Sequence, residues 1–371
     1  MAQTGERLSA GTKWVALGLV IVLVTVLLLA AAEGVIRMRQ WSRHGTASSF
    51  DSLYRVDPAI GLRVLVPGAR VGNISVNSLG FRGPEIEKAK PPGRIRIAFL
   101  GASTTFCAEV SGDAAAWPQV AVERLKARFP GVEFDFVNGA VPGYAVESSL
   151  KNLQHRIGPL QPDVVVIYHA TNDFSYEARR LAEEQGLVAG RRSHEPSWMA
   201  QNLRLWELAE KNLRVLVAKQ GAETNKGRVV IDEATLGTAF RTDLTRLVEA
   251  AAQDGRRVAL ATFSARLRPE QTVEERKQAA VSALVYMPFM SLDALLFGYA
   301  RYNENIRAVA RDSGALLIDG ENLIPGDAVH FVDSVHFTDA GSRAMGERVA
   351  NGLAADPGFL QLVATRKADR V

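Results

Sequence analysis

A single uninterrupted apolar segment near the start of the chain constrains the fold more than any other feature. Residues 14–32 read WVALGLVIVLVTVLLLAAA and carry no charged side chain. A helix of this length spans about 28 Å, which matches a hydrocarbon layer about 30 Å thick. A buried helix of a soluble domain usually has a polar face, and this segment lacks one. We therefore predict a transmembrane anchor over residues 14–36, preceded by an N-terminal tail of residues 1–13.

A cleaved signal peptide is the alternative interpretation of this segment, because residues 30–32 are three alanines, as at a small-residue cleavage site. The apolar run is long for such a peptide, which favours the anchor. Basic residues lie on both sides of the segment: Arg7 and Lys13 before it, and Arg37, Arg39 and Arg43 after it. Because cytoplasmic flanks are enriched in Lys and Arg, this distribution leaves the orientation in the membrane open.

The composition of the 371 residues is that of a globular protein, with 47% hydrophobic and 23% charged side chains. The 44 basic and 40 acidic residues are scattered and give a net charge of +4, so nucleic-acid binding is not expected. One cysteine excludes an intramolecular disulfide. No phosphate-binding glycine motif follows a strand, and His169 and His330 lack metal-ligand spacing. We therefore expect neither a nucleotide cofactor nor a metal.

Turn-forming residues dominate the segment between the apolar run and residue 94. Glu33 and Arg37 have helical i, i+4 spacing, so the helix is predicted to continue as a short stalk. Glycine and proline then punctuate short β-prone pieces at 62–66 and 69–76. Residues 37–93 are therefore predicted to form the stalk and a small β-rich wrap.

From residue 94 onward, apolar strands alternate with amphipathic helices. The strands are predicted at 94–101, 134–140, 163–170, 256–263 and 315–320, and the helices near 114–129, 146–157, 233–253, 296–312 and 338–354. Continuous Val, Ile and Leu runs are typical of strands buried on both faces, so the alternation predicts an α/β fold with a central parallel sheet between helices. We expect this domain over 94–354, with a helical insertion at 174–232 and a C-terminal tail at 355–371.

Polar residues follow the ends of several predicted strands, where ligands bind in an open parallel sheet. They are Ser103 after the first strand, Gly139 after the second, Asn172 after the third, and Asp333 with His336 after the fifth. Taken singly, each has a structural explanation, since a serine can cap a helix, a glycine can occupy a turn and an asparagine can form an Asx turn. Their order and their placement at one edge of the sheet favour a shared site.

These short blocks resemble those of the SGNH hydrolases, the GDSL-type esterases and acyltransferases, over roughly residues 94–350. The blocks read GASTT at 101–105, NGAVPGY at 138–144, HATND at 169–173 and DSVHFT at 333–338. The resemblance implies a three-layer α/β/α, flavodoxin-like domain. The segment VNSLGFRGPE at 76–85 and the preceding anchor also resemble a membrane-anchored bacterial branch associated with cell-envelope polysaccharides.

The resemblance also implies the roles of individual residues. It assigns Ser103 as the nucleophile, His336 as its general base and Asp333 as the residue that orients the imidazole. The backbone N–H groups of Ser103 and Gly139 and the side-chain amide of Asn172 would form the oxyanion hole. Two positions depart from the family pattern: Ala102 replaces the usual aspartate before the serine, and Ala170 replaces the usual glycine of the third block. Neither departure removes a group with a direct catalytic role.

We therefore expect a serine esterase that hydrolyses O-acyl esters, above all acetyl esters, of carbohydrate or cell-envelope substrates. Two alternatives stay open: an O-acyltransferase that moves acyl groups onto glycans, and a non-catalytic envelope subunit that binds glycans or assists assembly. The expected partners are an acylated carbohydrate or lipid-linked substrate and the membrane, which the N-terminal helix would cross once. From the resemblance, the catalytic domain is expected on the extracytoplasmic, periplasmic side.

Overall fold

The computed structural model describes residues 10–44, 50–188, 197–199, 203–224 and 229–368. The chain divides into two compact units, one of Met1–Ala47 with Ser193–Leu213 and the other of Ser48–Arg192 with Arg214–Val371. The described helices are α1 (Ala10–His44), α2 (Ser103–Phe106), α3 (Trp117–Arg128), α4 (Val146–Asn152), α5 (Thr171–Glu184), α6 (Arg204–Thr224), α7 (Thr238–Ala252), α8 (Val273–Tyr286), α9 (Leu292–Ser313), α10 (Asp339–Ala355) and α11 (Pro357–Ala368).

The first unit contains α1, which is long and apolar enough to cross a membrane. Its candidate span, Gly11–Arg39, has a mean hydropathy of 3.0 over its most apolar window, and none of that window is buried. The helix continues past the apolar run to His44, and Arg37 Nε lies 2.8 Å from Glu33 Oε1 within the segment predicted as a stalk. The apolar helix predicted from the sequence is therefore present, and it is longer than the residues 14–36 proposed for the anchor.

The second unit contains the strands β1 (Tyr54–Asp57), β2 (Leu62–Leu65), β3 (Arg70–Val71), β4 (Ile74–Ser75), β5 (Arg94–Gly101), β6 (Glu133–Asn138), β7 (Val164–Tyr168), β8 (Arg257–Ala261) and β9 (Leu316–Ile318). Five of them form one sheet in the order β6-β5-β7-β8-β9, with every neighbouring pair parallel. The predicted parallel sheet is thus confirmed. Its strands are buried along most of their length, as the Val- and Ile-rich sequences require.

Helices cover the sheet in two groups. In one group α10 contacts both α3 and α11, and in the other α7 contacts both α4 and α9. The core between them is closely packed, since the ring of Phe99 lies edge-on to Trp117 and to Phe136, with centroids 5.2 and 5.9 Å apart. Helix–sheet–helix layering of this kind follows when a parallel sheet must hide both faces from water.

The predicted wrap consists of two small antiparallel pairs, β1 with β2 and β3 with β4. Its buried side chains form a cluster of their own, which includes Leu53, Leu65 and Ile74. The same cluster contains Phe106 of α2 and Ala140, which follows β6. The wrap therefore packs directly against the segments that follow two strands of the main sheet.

Two predicted boundaries differ from the structure. Residues 355–371, predicted as a tail, contain α11, and its Phe359 and Val363 are buried in the main core. The predicted insertion at 174–232 begins inside α5, where Phe174 is buried between Tyr299 and Tyr302 of α9. Parts of that stretch, at 189–196, 200–202 and 225–228, lie outside the described residues.

The helix α8 was not predicted from the sequence, although its first turn carries a recognisable signal. Thr272 caps the helix by accepting a hydrogen bond from the Glu275 N–H, and the Glu275 side chain accepts one from the Thr272 N–H in return. This reciprocal arrangement is a capping box, and the Thr-x-x-Glu spacing at residues 272–275 predicts it from the sequence.

A fully buried arginine joins the two strands nearest the site. The guanidinium of Arg96 on β5 donates to both carboxylate oxygens of Asp135 on β6, each at 2.8 Å. It also donates to the Leu160 carbonyl at 2.9 Å and to the Glu87 carbonyl at 2.8 Å, so the wrap is tied to the same charge. Breaking a buried ion pair leaves an uncompensated charge, which is strongly destabilising.

We expect Arg96→Met to destabilise the larger unit by about 3–5 kcal/mol, because Asp135 would lose both 2.8 Å hydrogen bonds and keep only the longer, 3.6 Å ion pair with Arg94. The double variant Arg96→Met/Asp135→Leu should recover most of this loss, since both charges are then removed. Thermal unfolding of the detergent-solubilised full chain measures both. The control is Arg124→Met, which breaks a half-exposed pair with Glu347 and should cost less than about 1 kcal/mol. Equal losses for Arg96→Met and Arg124→Met would contradict the prediction.

Candidate active site

Ser103, His336 and Asp333 form a continuous hydrogen-bonded chain. His336 Nε2 lies 2.8 Å from Ser103 Oγ, and His336 Nδ1 lies 2.8 Å from Asp333 Oδ2. Ser103 begins α2 directly after β5, whereas the other two residues lie in the loop before α10. The structure thus brings together three residues that the sequence predicted to meet, and their catalytic role stays a prediction.

The loop that presents Asp333 and His336 is held by its own acidic side chain. Asp333 Oδ1 accepts hydrogen bonds from the N–H groups of Val335 and His336, both at 2.9 Å. Phe331 and Phe337 pair as an antiparallel bridge at the base of the loop. Because one oxygen of Asp333 binds the loop and the other binds the imidazole, the carboxylate and the imidazole keep one relative geometry.

The electrostatics of this pair suit a general base. Burial alone would raise the pKa of Asp333, but the hydrogen bonds from His336 and from the loop N–H groups hold that pKa below its ordinary value. Burial would lower the pKa of His336, but its hydrogen bond with Asp333 and the negative charges of Glu109 and Asp333 raise that pKa above its ordinary value. A neutral His336 is therefore a ready proton acceptor, and its protonated form is stabilised.

The turn that carries Ser103 requires a glycine two residues before the serine, at position 101. A Cβ added to Gly101 would lie 2.1 Å from Thr105 Oγ1 and 2.9 Å from the Tyr168 carbonyl oxygen, so only glycine fits between α2 and β7. The turn is closed by the Cys107 N–H, which donates to the Ser103 carbonyl at 2.8 Å. As the first residue of a helix, Ser103 has an N–H without an intrahelical acceptor, so this N–H is available to a ligand.

The Gly139 N–H, which the resemblance assigned to the oxyanion hole, already has a backbone partner in the structure. The Gly139 N–H donates to the Phe99 carbonyl at 2.9 Å and so extends the pairing of β6 with β5 by one residue. A backbone N–H is a single donor, so this group is not free for a substrate. A Cβ on Gly139 would lie 2.2 Å from Ile157 Cδ1, which explains the glycine as a packing requirement.

Gly143, four residues further along the same block, supplies a free N–H that Gly139 does not. Its φ of +89° lies in the region that favours glycine. Within the part of the chain that the structure describes, the Gly143 N–H has no acceptor, while its carbonyl accepts a hydrogen bond from Tyr176 Oη at 2.9 Å. The dipeptide Pro142-Gly143 is typical of a turn, so the sequence itself carries a signal for this position.

The loop that contains Gly143 adjoins the Ser103 turn. Val141 and Tyr144, on either side of the glycine, pack with Ala102 in a small apolar cluster, and Ala102 immediately precedes the serine. Two partly buried side chains of the β1–β2 hairpin pack against the same cluster. The hairpin therefore covers one side of the candidate site.

Asn172 stands where the sequence predicted it, at the start of α5, and is half-buried. Its Nδ2 donates one hydrogen bond to the Tyr144 carbonyl at 2.9 Å. A side-chain amide carries two N–H donors, so one remains for a ligand. Three donors are thus available in place of the predicted set: the N–H groups of Ser103 and Gly143, and the second N–H of Asn172.

A second Ser–His–Asp group, not anticipated from the sequence, lies buried in the same unit. His169 Nε2 is 2.8 Å from Ser149 Oγ, and His169 Nδ1 is 3.7 Å from Asp173 Oδ2. Burial lowers the pKa of His169 to about 3 and raises the pKa of Asp173 to about 7. Asp173 Oδ1 accepts the Val146 N–H at 3.0 Å, so the group connects the starts of α4 and α5.

The single cysteine is a packed thiol. Cys107 is buried, and its Sγ lies 3.4 Å from the carbonyl oxygens of Thr104 and Thr105. Burial raises the pKa of the Cys107 thiol to about 12. A thiol in this state is not ionised at neutral pH and is therefore a poor nucleophile.

Comparison with known proteins assigns this arrangement to a family. The sequence pattern of the GDSL-like Lipase/Acylhydrolase family matches residues 99–344, which is well over half of the chain. The chain therefore belongs to the GDSL-like lipase/acylhydrolase family and is an ester-hydrolysing enzyme. The matched range includes every residue of the candidate site and excludes both α1 and the wrap.

Solved structures with a related fold share little sequence with the chain. An acetyl xylan esterase from Geobacillus stearothermophilus is 14% identical with a TM-score of 0.44, covering 71% of this chain and 95% of its own. A lipase/acylhydrolase from Enterococcus faecalis is 17% identical with a TM-score of 0.40, covering 69% and 94%. A two-domain esterase active on acetylated mannans is 13% identical with a TM-score of 0.41, covering 74% and 49%. No curated protein sequence matches the chain.

The negative charge of Glu109 near His336 leads to a pH-dependent prediction. A general base must be neutral, so kcat/KM should fall as the pH drops through the raised pKa of His336. Glu109→Gln removes one of the charges that raise this pKa, so the acidic limb of the kcat/KM profile on p-nitrophenyl acetate should move to lower pH. Glu249→Gln, the same charge change at an exposed position of α7, is the control. Equal profiles for the two variants would refute the role of Glu109.

Proposed function

We propose that the chain is a membrane-anchored serine esterase that hydrolyses O-acyl esters, above all acetyl esters, of carbohydrate or cell-envelope substrates. The observation that carries the proposal is the unbroken chain from Ser103 Oγ through His336 to Asp333, with two links of 2.8 Å. The family match supports ester chemistry. The resemblance of residues 76–85 to a membrane-anchored branch, together with the apolar α1, supports an envelope substrate.

The two hydrogen bonds of His336 define the first half of the reaction. Ser103 Oγ attacks the acyl carbonyl carbon while His336 Nε2 accepts the hydroxyl proton, and Asp333 stabilises the resulting imidazolium. The tetrahedral intermediate then collapses, the bond between the acyl carbon and the sugar oxygen breaks, and His336 passes its proton to that oxygen. The products are a free sugar hydroxyl and an acyl group bound to Ser103.

Water completes the cycle by the same route. His336 Nε2 accepts a proton from water, the water oxygen attacks the acyl carbon, and the bond to Ser103 Oγ breaks as His336 returns the proton to the serine. The sum of both halves is ester plus water to alcohol plus carboxylic acid. If a glycan hydroxyl replaced water in this second half, the same residues would carry out acyl transfer instead.

The negative charge that develops on the carbonyl oxygen needs donors that are already in place. The N–H groups of Ser103 and Gly143 and the free N–H of Asn172 are suited to this role, since none of them is used elsewhere in the described structure. Donors held in advance stabilise the transition state without reorganisation, and losing one typically costs about 10²–10³-fold in turnover. We assign the oxyanion hole to these three groups.

The N-terminal helix gives the enzyme its location in this proposal. We assign α1 as an uncleaved single-pass anchor, with the catalytic domain on the extracytoplasmic, periplasmic side. The apolar span of Gly11–Arg39 supports the anchor by its length and composition. An anchored esterase would act on acyl groups close to the membrane surface, which suits envelope glycans and lipid-linked esters.

Ser103→Ala should abolish hydrolysis, because it removes the nucleophile and leaves the fold in place. We expect acetate release from p-nitrophenyl acetate and from acetylated xylan to fall by at least about 10³-fold, with little change in the unfolding temperature. A fluorophosphonate probe should label the unaltered full chain and fail to label the variant. Activity-based labelling and acetate release, both on the detergent-solubilised chain, measure the two effects.

Ser149→Ala is the matched control, since it removes the serine of the buried Ser–His–Asp group. It should leave fluorophosphonate labelling intact. A folded chain that labels at Ser103 but releases no acetate, and instead moves acetyl groups between glycans, would indicate the transferase. A folded chain whose Ser103 neither labels nor turns over any ester would contradict the esterase proposal.

The anchor makes a separate prediction about the full chain expressed in a bacterium. The chain should remain in the membrane fraction after alkaline carbonate extraction. Mass spectrometry should detect residues 1–32 in the mature protein. Protease added to spheroplasts should digest the catalytic domain. Leu23→Arg/Leu27→Arg should release it, because each arginine at the centre of a span costs about 2.5–3.5 kcal/mol. A soluble product that begins after residue 32 would show that the segment is a cleaved signal peptide.

A further inference from the structure

Three consecutive carbonyls of the loop that follows β6 are each bound by a side chain from elsewhere in the second unit. Pro142 O accepts from Arg63 Nη2 at 2.8 Å, Gly143 O accepts from Tyr176 Oη at 2.9 Å, and Tyr144 O accepts from Asn172 Nδ2 at 2.9 Å. Carbonyls in a loop are usually left to water. Because each of these three carbonyls is held by a hydrogen bond, the orientation of each of their peptide groups is fixed. Backbone N–H groups that serve as oxyanion donors must be held in a fixed orientation in this way.

The donor to Pro142 is unlike the other two, because it is a cation and comes from the wrap. Arg63 lies on β2, outside the residues that the family pattern matches. Its guanidinium lies 4.2 Å from the ring centroid of Tyr54, and its own carbonyl accepts a hydrogen bond from Tyr144 Oη at 2.7 Å. Arg63 forms no ion pair with any carboxylate of the described residues. Its charge is therefore directed at the loop.

The geometry of a peptide bond explains why this contact matters. The carbonyl of Pro142 and the N–H of Gly143 belong to one planar peptide, and in a trans peptide the two groups point in opposite directions. A donor fixed on the oxygen therefore fixes the direction of the N–H. A charged donor forms a stronger hydrogen bond than a neutral one, and it polarises the peptide so that the N–H becomes a better donor in turn.

We propose that Arg63 is a positioning residue for ester hydrolysis: it holds and polarises the Pro142–Gly143 peptide so that the Gly143 N–H faces the developing oxyanion. The inference rests on the proposed function, because it takes Gly143 as an oxyanion donor. Under this proposal, the wrap contributes a residue that positions an oxyanion donor of the site. A segment outside the matched family domain would then contribute to the rate of the reaction.

Arg63→Met tests the inference by removing the donor while keeping a long apolar stem over Tyr54. In the detergent-solubilised full chain, kcat on p-nitrophenyl acetate should fall by about tenfold to 100-fold, a part of what the loss of a direct oxyanion donor costs. KM should change less than about twofold, because the polarised N–H acts on the transition state. Arg63→Lys, which keeps a cation with a poorer reach, should retain an intermediate kcat.

Arg55→Met is the matched control, since Arg55 carries the same charge, is exposed like Arg63 and lies on the paired strand β1 of the same hairpin. It should leave kcat unchanged. A phenylboronic acid, which forms a tetrahedral anion on an active serine, gives a readout that a general loosening of the fold would not move. Its inhibition constant should rise in Arg63→Met by the same factor as kcat/KM falls, while the unfolding temperature stays close to that of the unaltered chain.

The outcomes separate this inference from the proposed function. Ser103-dependent turnover with an unchanged kcat in Arg63→Met would overturn the inference alone. So would a loss of activity that tracks a lower unfolding temperature, or one confined to KM. An unaltered chain without Ser103-dependent turnover or labelling would overturn the esterase proposal first, and the inference with it.

Discussion

The candidate site depends on the parallel register of the three strands at one side of the sheet. Pairing sets Phe99 of β5 opposite Asn138 of β6 and opposite Val166 of β7, so the three strands end close together. The Ser103 turn and the loop at 139–144 then leave the sheet side by side, at the edge where such sheets bind ligands. If one of these strands shifted by one residue relative to its neighbour, the loop that follows it would move by about 3.3 Å. The side chains that this strand places on one face of the sheet would then lie on the opposite face. The apolar strand faces therefore hold the site together.

Much of this could be predicted from the sequence, because a strand buried on both faces is mostly apolar: β5 is both predicted and observed at 94–101, although it also carries the buried Arg96. The rule that polar residues gather at the ends of parallel strands also predicted that Ser103, His336 and Asn172 lie near one another. It could not separate Gly139 from Gly143, because a free N–H depends on how far strand pairing continues. Nor could it identify Arg63, whose contact with Pro142 spans 79 residues of sequence and arises only from tertiary packing.

The departure from the family pattern at Ala102 has a physical explanation in its surroundings. Ala102 is 4% exposed and packs against Val141 and Tyr144, with the wrap covering the cluster. An aspartate here would lose its hydration, which is costly for a carboxylate without a close partner. The turn is supported from another direction, because Arg82 of the wrap donates to the Phe106 carbonyl at the end of α2 at 2.6 Å. The wrap thus stabilises the turn that carries Ser103 through a charged hydrogen bond.

The two Ser–His–Asp groups show that environment, more than residue type, decides what such a group can do. In the candidate site, the 2.8 Å hydrogen bond between Asp333 and His336 outweighs burial, so the pKa of His336 is raised and the imidazolium is stabilised. In the buried group, His169 lies 3.7 Å from its aspartate and burial dominates, so its pKa falls to about 3. A histidine that resists protonation cannot accept a serine proton efficiently. The buried group is therefore suited to joining helices, whereas the environment of the Ser103 group fits the catalytic role that we propose for it.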